Sequence, residues 1–481
     1  MTISLAEVAR RNPAGIAIVG ETSVISFANL FDKSESVAAS LALDSDTDTP
    51  VAFVARNDVL TIGLFFALWE RGIPALPLNP RWTAAERQSL VQRVGARWVG
   101  ADEGFVRVTR SGACHPLSQH SRAPTLLIAT SGSSGVPKVV CLSRAGLVAG
   151  AVAAVSHLQM RHEDRWLLSL NLSHIGGITI LLRCMLCEAS VALAAPGLGA
   201  AEMVQVILRT GATLASLVPT QLDRLLSVPI RRGDLSSLRA VLLGGAYTPH
   251  SLMQRARAQG WPVLATYGMS EAGSQICTQP LSDLFDNTPH DDAGLPLPGV
   301  ELKIDAGVIC IRGSSLFDGY LACETSPFDH DGWFHSGDLG TLTSQGRLIP
   351  LGRRDDCIVT GGEKVSAVEV EAALLELSWI RATAVVGVSD GTWGYIIAAA
   401  VVLADRRDAD TNLDLDCIRN RTELALARRL APYKRPRRWV VLRELPLLPS
   451  GKLDRPAVRA LFEGFGPLRS ADVVGFCGKA E

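Results

Sequence analysis

Four short stretches of this 481-residue chain carry side chains whose types and spacing suit chemistry on phosphate. The first runs from Thr130 through Ser131, Gly132, Ser133, Ser134 and Gly135 to Lys138, between the apolar runs TLLIA and VVCLS. Successive Gly and Ser let backbone N–H groups turn inward, hydroxyls add donors, and a terminal lysine adds a point charge on the same anion. A Walker A loop is excluded, because Val139 follows Lys138 where Ser or Thr is required and the spacing is wrong. The second stretch, TYGMSEAGS, spans 266 to 274. Tyr267 offers a flat face to a base, Ser270 a donor to phosphate, and Glu271 a hard oxygen for a phosphate-bound cation. In the third, HDGWFHSGDLG, Asp338 sits among turn glycines and suits two ribose hydroxyls. In the fourth, ELPLLPSGKLDR, Lys452 stands at the tip of a stiff turn. Each stretch alone has an ordinary structural explanation: a flexible loop, a solvated acid, a turn aspartate, a surface lysine.

The elements that must position these residues alternate from about 50 to 270. VAFVAR reads as a strand and DVLTIGLFFALWERG as a helix closed by Gly72. Thr83 and Glu86 have capping-box spacing ahead of the periodic Leu90, Val91 and Val94. ATLASLVPT, AVLLGGAY and PVLATYG are short apolar runs that end in small residues. The pattern predicts an α/β architecture of mainly parallel sheets, with ligands at the carboxyl ends of the strands. From about 293 the texture becomes turn-rich, with short strands in GVELKID, GVICIRG and GRLIPLG. After GRRDDCIVTGGEKV comes a helix, with Ser366 and Glu369 at capping-box spacing and Ala367, Val370, Leu374 and Leu377 on one face. The expected organisation is a large N-terminal domain over 1–353, containing a β-rich subdomain at 293–351. It is hinged to a small α+β domain over 354–465, followed by a tail at 466–481 with little pattern.

Composition narrows the function classes. The net charge is −1 and 47% of residues are hydrophobic, so nucleic acid and anionic membrane are poor partners. The ten cysteines show no disulfide framework, and Cys141, Cys184, Cys187 and Cys310 sit in apolar runs as small hydrophobes. The N-terminal stretch lacks signal-peptide features, and no apolar run reaches membrane-spanning length. A soluble, cytoplasmic protein is expected; self-association stays open.

Taken together and in this order, the four stretches resemble the adenylate-forming superfamily of acyl-CoA synthetases, amino-acid adenylation domains and luciferases. The resemblance covers roughly residues 20 to 460. It implies two half-reactions: a carboxylate attacks the α-phosphate of ATP to give an acyl-adenylate and pyrophosphate, and a thiol then displaces AMP. It further implies that Thr130, Ser131, Gly132, Ser133, Ser134, Gly135 and Lys138 close over the β- and γ-phosphates. Gly244, Gly245 and Ala246 would line the adenine pocket with Tyr267 and Gly268. Ser270 would touch phosphate, Glu271 would hold Mg²⁺, and Asp338 and Arg353 would hold the ribose. Lys452 matches the catalytic lysine of the first step, and Asp355 the hinge about which the small domain turns. Ala367 stands where the family often has proline. Asn171-Leu172-Ser173 precedes His174 where Pro-Leu-aromatic is usual, which leaves the shape of the acyl pocket open.

The acid substrate is narrowed by the same comparison of motifs. No aspartate for a substrate ammonium stands before His174, which argues against amino-acid activation. WLLSLNLSHIGGITILLRCML, ATLASLVPTQLDRLL and TYGMSEAGSQICT are most similar to the o-succinylbenzoate–CoA ligases of menaquinone biosynthesis. That acid has two carboxylates, so the one that does not react needs a partner. Arg183, nine residues after His174, is a candidate, and so is a structural ion pair for it. His174, Ser274 and Gln275 are further pocket candidates, and His174 is with Lys452 and Glu271 a candidate catalytic residue. The implied co-substrates are ATP with Mg²⁺ and CoA. A ligase for another aryl or acyl acid, an enzyme that loads a separate carrier protein, and a nucleotide-binding non-enzyme are the alternatives.

Overall fold

The computed structural model describes residues 3–43, 48–100, 106–109, 124–130, 137–195, 197–231, 233–246, 248–285, 292–323, 325–354, 357–360, 363–404, 415–448, 452–463 and 473–477. Local rules set the helix ends. Helix Val59–Arg71 starts at Asp58, whose carboxylate accepts the Thr61 N–H at 2.7 Å, and stops at left-handed Gly72. Helix Ala84–Val94 has the expected reciprocal box: Thr83 Oγ1 accepts from the Glu86 N–H, and Glu86 accepts from the Thr83 N–H at 2.7 Å. Helix Ala367–Leu375 differs. Ser366 caps the Glu369 N–H, but the Glu369 carboxylate turns away to Lys434 Nζ at 2.6 Å. A cation within reach outcompetes a neutral backbone donor, so only half of that box forms. Its apolar face is as expected, with Ala367, Val370, Leu374 and Leu377 all buried.

Two large sheets and the helices between them share one core, joining Ile18, Trp166, Ile128, Leu142, Leu147 and Ile178. In the nine-stranded sheet, Ile16–Val19, Ser190–Leu193, Arg165–Leu168, Leu214–Leu217, Ala240–Leu243 and Val263–Met269 run parallel side by side. Short antiparallel strands close both edges. The inner strands Leu214–Leu217 and Ala240–Leu243 are buried along their whole length, as parallel strands covered on both faces must be. The six-stranded sheet is built around parallel Val51–Val54, Ala75–Leu78, Arg97–Gly100 and Pro124–Thr130. The α/β expectation holds.

Residues 300 to 353 form a separate four-stranded antiparallel sheet, Val300–Asp305, Val308–Gly313, Phe334–Leu342 and Leu348–Arg353. The C-terminal part has its own six-stranded sheet, in which Gly394–Leu403 pairs antiparallel with Ile380–Asp390 and parallel with Arg438–Leu442. The tail departs from expectation. Val473–Cys477 pairs antiparallel with Arg438–Leu442 and adds an edge strand to this sheet. The run VVGFC is short and broken by glycine, so it carries too little pattern to be read as a strand in advance.

Candidate active site

A cavity of about 1130 Å³ opens where four parallel strands end. Ser169, Val218, Gly244 and Ser270 each directly follow one of the strands Arg165–Leu168, Leu214–Leu217, Ala240–Leu243 and Val263–Met269, and all four line it. Ligands collect there in open parallel sheets because the loops diverge and strand-end polar groups face outward. Two glycines let the backbone come close. A Cβ on Gly268 would collide with the Ser274 carbonyl across the bulged pair of strands. Gly245 has φ 79°, and a Cβ there would lie 3.9 Å from Lys452 Cε.

Lys452 reaches this cavity from the C-terminal domain. Its turn is braced by the Leu448 N–H donating to the Lys452 carbonyl at 2.7 Å and the Asp454 N–H donating to the Pro446 carbonyl at 3.0 Å. Leu447 and Leu448 line the cavity beside it. Burial lowers the pKa of the Lys452 ammonium; Glu271 and Asp338 oppose that shift, and Arg353 adds to it. The lysine is therefore poised among groups of both signs.

Three groups that lie far apart in sequence meet beside it. Asp338 stands directly opposite Arg353 in the four-stranded sheet, with Arg353 Nη1 at 3.0 Å from Asp338 Oδ1. The Tyr267 hydroxyl donates to Asp338 Oδ2 at 2.7 Å. Burial raises the Asp338 carboxyl, and the Tyr267 hydrogen bond and Arg353 oppose it. Tyr267 titrates well above its ordinary range, first through burial and then through Asp338. Tyr267 is thus anchored at its hydroxyl.

Glu271 lies in the short helical turn Ser270–Ala272 and accepts from the Tyr320 hydroxyl at 2.9 Å. Lys138 Nζ sits 5.0 Å from the centroid of that same tyrosine ring. Tyr320 therefore links the cation at the exit of the Ser/Gly loop to the carboxylate, a part sequence reasoning missed. The signal, an aromatic after Gly319 in FDGYL, is too common to carry meaning alone. Magnesium needs one or two protein carboxylates when phosphate and water supply the rest, and Glu271 fits that requirement.

At the other wall, the unusual Asn171-Leu172-Ser173 stretch is held by side-chain amides. Asn171 Nδ2 donates to the Ala55 carbonyl at 3.1 Å, and its Oδ1 accepts from the Ser173 N–H at 2.8 Å. Asn57 Nδ2 donates to the carbonyls of Leu168 and Leu170. An Asx turn here supplies the rigidity that proline supplies elsewhere. His174 follows at the start of helix Ile175–Cys187, with a buried Nε2 that has no hydrogen-bond partner among the described residues. Burial, then Lys452 and Arg81, press its pKa down to about 4, so the ring is neutral. Arg183 lies on the same helix and is 2% exposed. It lies 5.3 Å from the Trp166 ring, and its Nε has no partner. Burial lowers it to about 10, and the described residues bring no carboxylate to it. Gln275 donates to Thr278 Oγ1 at 2.7 Å while its buried Oε1 is unpartnered. Ser274 adopts φ 108°, strained for a non-glycine residue. His174, Arg183, Ser274 and Gln275 all line the cavity.

The structure thus gathers Gly244, Gly245, Gly268, Ser270, His174, Arg183, Ser274, Gln275 and Lys452 around one space, with Glu271, Tyr267, Asp338 and Arg353 alongside. Ala246 follows Gly245 and is exposed. Thr130 Oγ1 is 3.4 Å from the Lys138 carbonyl, at the neck of the Ser/Gly loop. Ser131, Gly132, Ser133, Ser134, Gly135 and Asp355 lie outside the described residues.

A cation-bearing turn in a cavity at the strand ends of a large α/β domain, with carboxylates alongside, suits an enzyme that works on a phosphate-bearing substrate and a second one. The chain belongs to the AMP-binding enzyme family, whose model matches residues 5–111 and 102–321. The model of the AMP-binding enzyme C-terminal domain matches residues 369–452. Along its length the chain is 31% identical to the 2-succinylbenzoate–CoA ligase of Bacillus cytotoxicus, covering 94% of this chain and 96% of that protein. Among solved structures it resembles the o-succinylbenzoate CoA synthetase of Bacillus subtilis in complex with its acyl-adenylate intermediate. There the TM-score is 0.82 at 28% identity, over 95% of this chain and 98% of that one. The same Bacillus subtilis enzyme with ATP and magnesium ion gives a TM-score of 0.79 at 28% identity, over 93% and 97% of the two chains.

Proposed function

We propose that this chain is an ATP-dependent 2-succinylbenzoate–CoA ligase that works through an acyl-adenylate. One carboxylate of the acid attacks the α-phosphorus of ATP and pyrophosphate leaves. The CoA thiol then attacks the acyl carbon, AMP leaves, and the thiol proton is released. Lys452 lies between the acid and the α-phosphate and offsets the charge that builds between two anions. Ser270 and Lys138, with the Ser/Gly loop from Thr130 to Gly135, hold phosphate. Asp338 and Arg353 hold the ribose, and Gly244, Gly245, Ala246, Tyr267 and Gly268 flank the base. Magnesium on Glu271 would neutralise charge on the departing pyrophosphate. Rotation about Asp355 would withdraw Lys452 and admit the thiol. The co-substrates ATP and CoA, together with cysteines that form no disulfide among the described residues, support a cytoplasmic location.

One observation carries the choice of acid. Arg183 is a buried cation that meets no acidic side chain among the described residues, and it lines the same cavity as Lys452. A desolvated guanidinium is costly unless an anion meets it, and 2-succinylbenzoate brings a second carboxylate. The test is release of AMP and pyrophosphate with ATP, Mg²⁺ and 2-succinylbenzoate, with and without CoA, against benzoate and a medium-chain fatty acid. CoA-dependent turnover confined to 2-succinylbenzoate is expected. Arg183→Ala should raise KM for it by roughly 10- to 150-fold, the worth of a charged hydrogen bond. Turnover with either control acid and none with 2-succinylbenzoate overturns the substrate. Adenylate formation without any acyl-CoA product points to a carrier-protein thiol.

A further inference from the structure

The four-stranded sheet carries a second cluster of ligand-type side chains, away from the cavity. Side chains alternate along a strand, so neighbours two apart share a face. Ile309 and Ile311 enter the main core, and Cys310 between them turns to the other face. Cys310 stands opposite Lys303 on one neighbouring strand and opposite His335 on the other. Asp305 is two residues beyond Lys303 and so joins them. Cys310 Sγ and His335 Nδ1 are 3.4 Å apart, and the Asp305 carboxylate, the thiol and the ring nitrogen all lie within 4.8 Å of one another.

The support behind the histidine has the arrangement a metal ligand needs. His335 Nε2 lies 3.2 Å from Asp329 Oδ2. Asp329 is itself fixed, with Oδ1 accepting the N–H groups of Asp331 at 3.0 Å and Trp333 at 2.8 Å. A carboxylate at Nε2 keeps the proton there and turns the Nδ1 lone pair toward Cys310. Tetrahedral zinc with ordinary bonds to sulfur and nitrogen separates those two atoms by about 3.6 Å. The observed gap is close to that, and Asp305 lies exposed at the end of its strand, next to the hairpin turn. A thiol nucleophile is the competing reading, but Cys310 is 0% exposed, so no acyl group reaches it.

We propose that Asp305, Cys310 and His335 form a site for one divalent ion of the zinc type, with water at the fourth position. Binding exchanges the Cys310 thiol proton, released to solvent, for the metal. The soft sulfur and the imidazole favour zinc or cobalt over the magnesium suited to Glu271. Lys303 flanks the cysteine, its ammonium 4.5 Å from the Trp333 ring centroid, and its charge tempers the affinity for a cation.

The experiment uses full-length, chelator-treated protein without ATP. Titration with Co²⁺ should produce a thiolate-to-cobalt charge-transfer band that Zn²⁺ removes, and one zinc per chain should survive gel filtration. Cys310→Ser should abolish the band. Asp305→Asn, at an exposed position that leaves folding intact, should lower zinc retention. Asp329→Asn should keep the band at saturating cobalt but weaken zinc by about 10- to 100-fold, because it loosens the ring and not the thiolate. No band in the parent protein, a band that persists in Cys310→Ser, or unchanged zinc content in both Cys310→Ser and Asp305→Asn would overturn the site.

Discussion

His174 shows how one residue couples the site to stability. Its ring is held neutral, at about 4, by burial and by the cations Lys452 and Arg81. In the unfolded chain it titrates near 6.5. Above that value neither state binds the proton, so the residue has no effect. As pH falls from about 6.5 to about 4 the unfolded state takes up a proton that the folded state refuses. Stability therefore drops across that window, by on the order of 3 kcal/mol if the whole shift is realised. His174→Gln should flatten this part of a pH series of denaturant melts, while an unchanged slope would place the acid sensitivity elsewhere. At this scale the sequence was most informative where chemistry demands a type. Lys452, Glu271 and Asp338 stand out because their motifs occur in order. Tyr320 did not, because its partners Lys138 and Glu271 are brought to it only by folding. The spacing of Arg183 fits a ligand and an ion pair alike, and its surroundings favour the ligand.

The helix Arg455–Phe462 shows the same at the scale of elements. Its first residue sends two guanidinium nitrogens to Glu371, at 2.7 and 2.9 Å, and one to the Val385 carbonyl at 2.6 Å. Glu371 is buried and also accepts the Val385 N–H at 2.8 Å. The helix, the strand Ile380–Asp390 and the helix Ala367–Leu375 are thereby locked three residues after Lys452. Arg455→Met leaves a buried carboxylate without its cation, which should cost about 3–5 kcal/mol in chemical unfolding of the C-terminal domain. Adding Glu371→Gln should recover much of this, since a neutral amide still accepts from Val385; no recovery would deny the pair its role. The helix and strands themselves were legible, because their apolar periodicity is long and their caps are local. The Ser366–Glu369 box was half right, because Lys434 lies 65 residues away and no local rule brings it near.

At the scale of the whole molecule, the proposed reaction depends on how the two domains meet at Lys452. Lys452 occupies the cavity of the large domain, the arrangement suited to the first half-reaction. The rotation proposed at Asp355 makes two variants complementary. Lys452→Ala should lower adenylation by about 10²- to 10³-fold, the effect of losing one preorganised charge partner, and spare thioester formation from supplied acyl-adenylate. Asp355→Pro fixes φ at the hinge and should do the reverse, keeping adenylation and losing the thiol step. Single-turnover assays of each half-reaction separate the two, and equal losses in both variants would mean that one orientation serves both steps. The large α/β body and its smaller neighbour were legible from the change of texture along the chain. The strand Val473–Cys477 was not, because an edge strand gains its stability from the sheet it joins.

Leu447, Leu448 and Lys452 have a further consequence, because the small domain supplies part of the cavity wall. With the rotation proposed at Asp355, the chamber that makes the adenylate is dismantled once per turnover. A mixed anhydride is vulnerable to water, and here the movement that would expose it is the same movement that brings in the thiol. Protection and delivery are set by a single mechanical event, so loss of intermediate to hydrolysis becomes a race between two nucleophiles at a newly opened door.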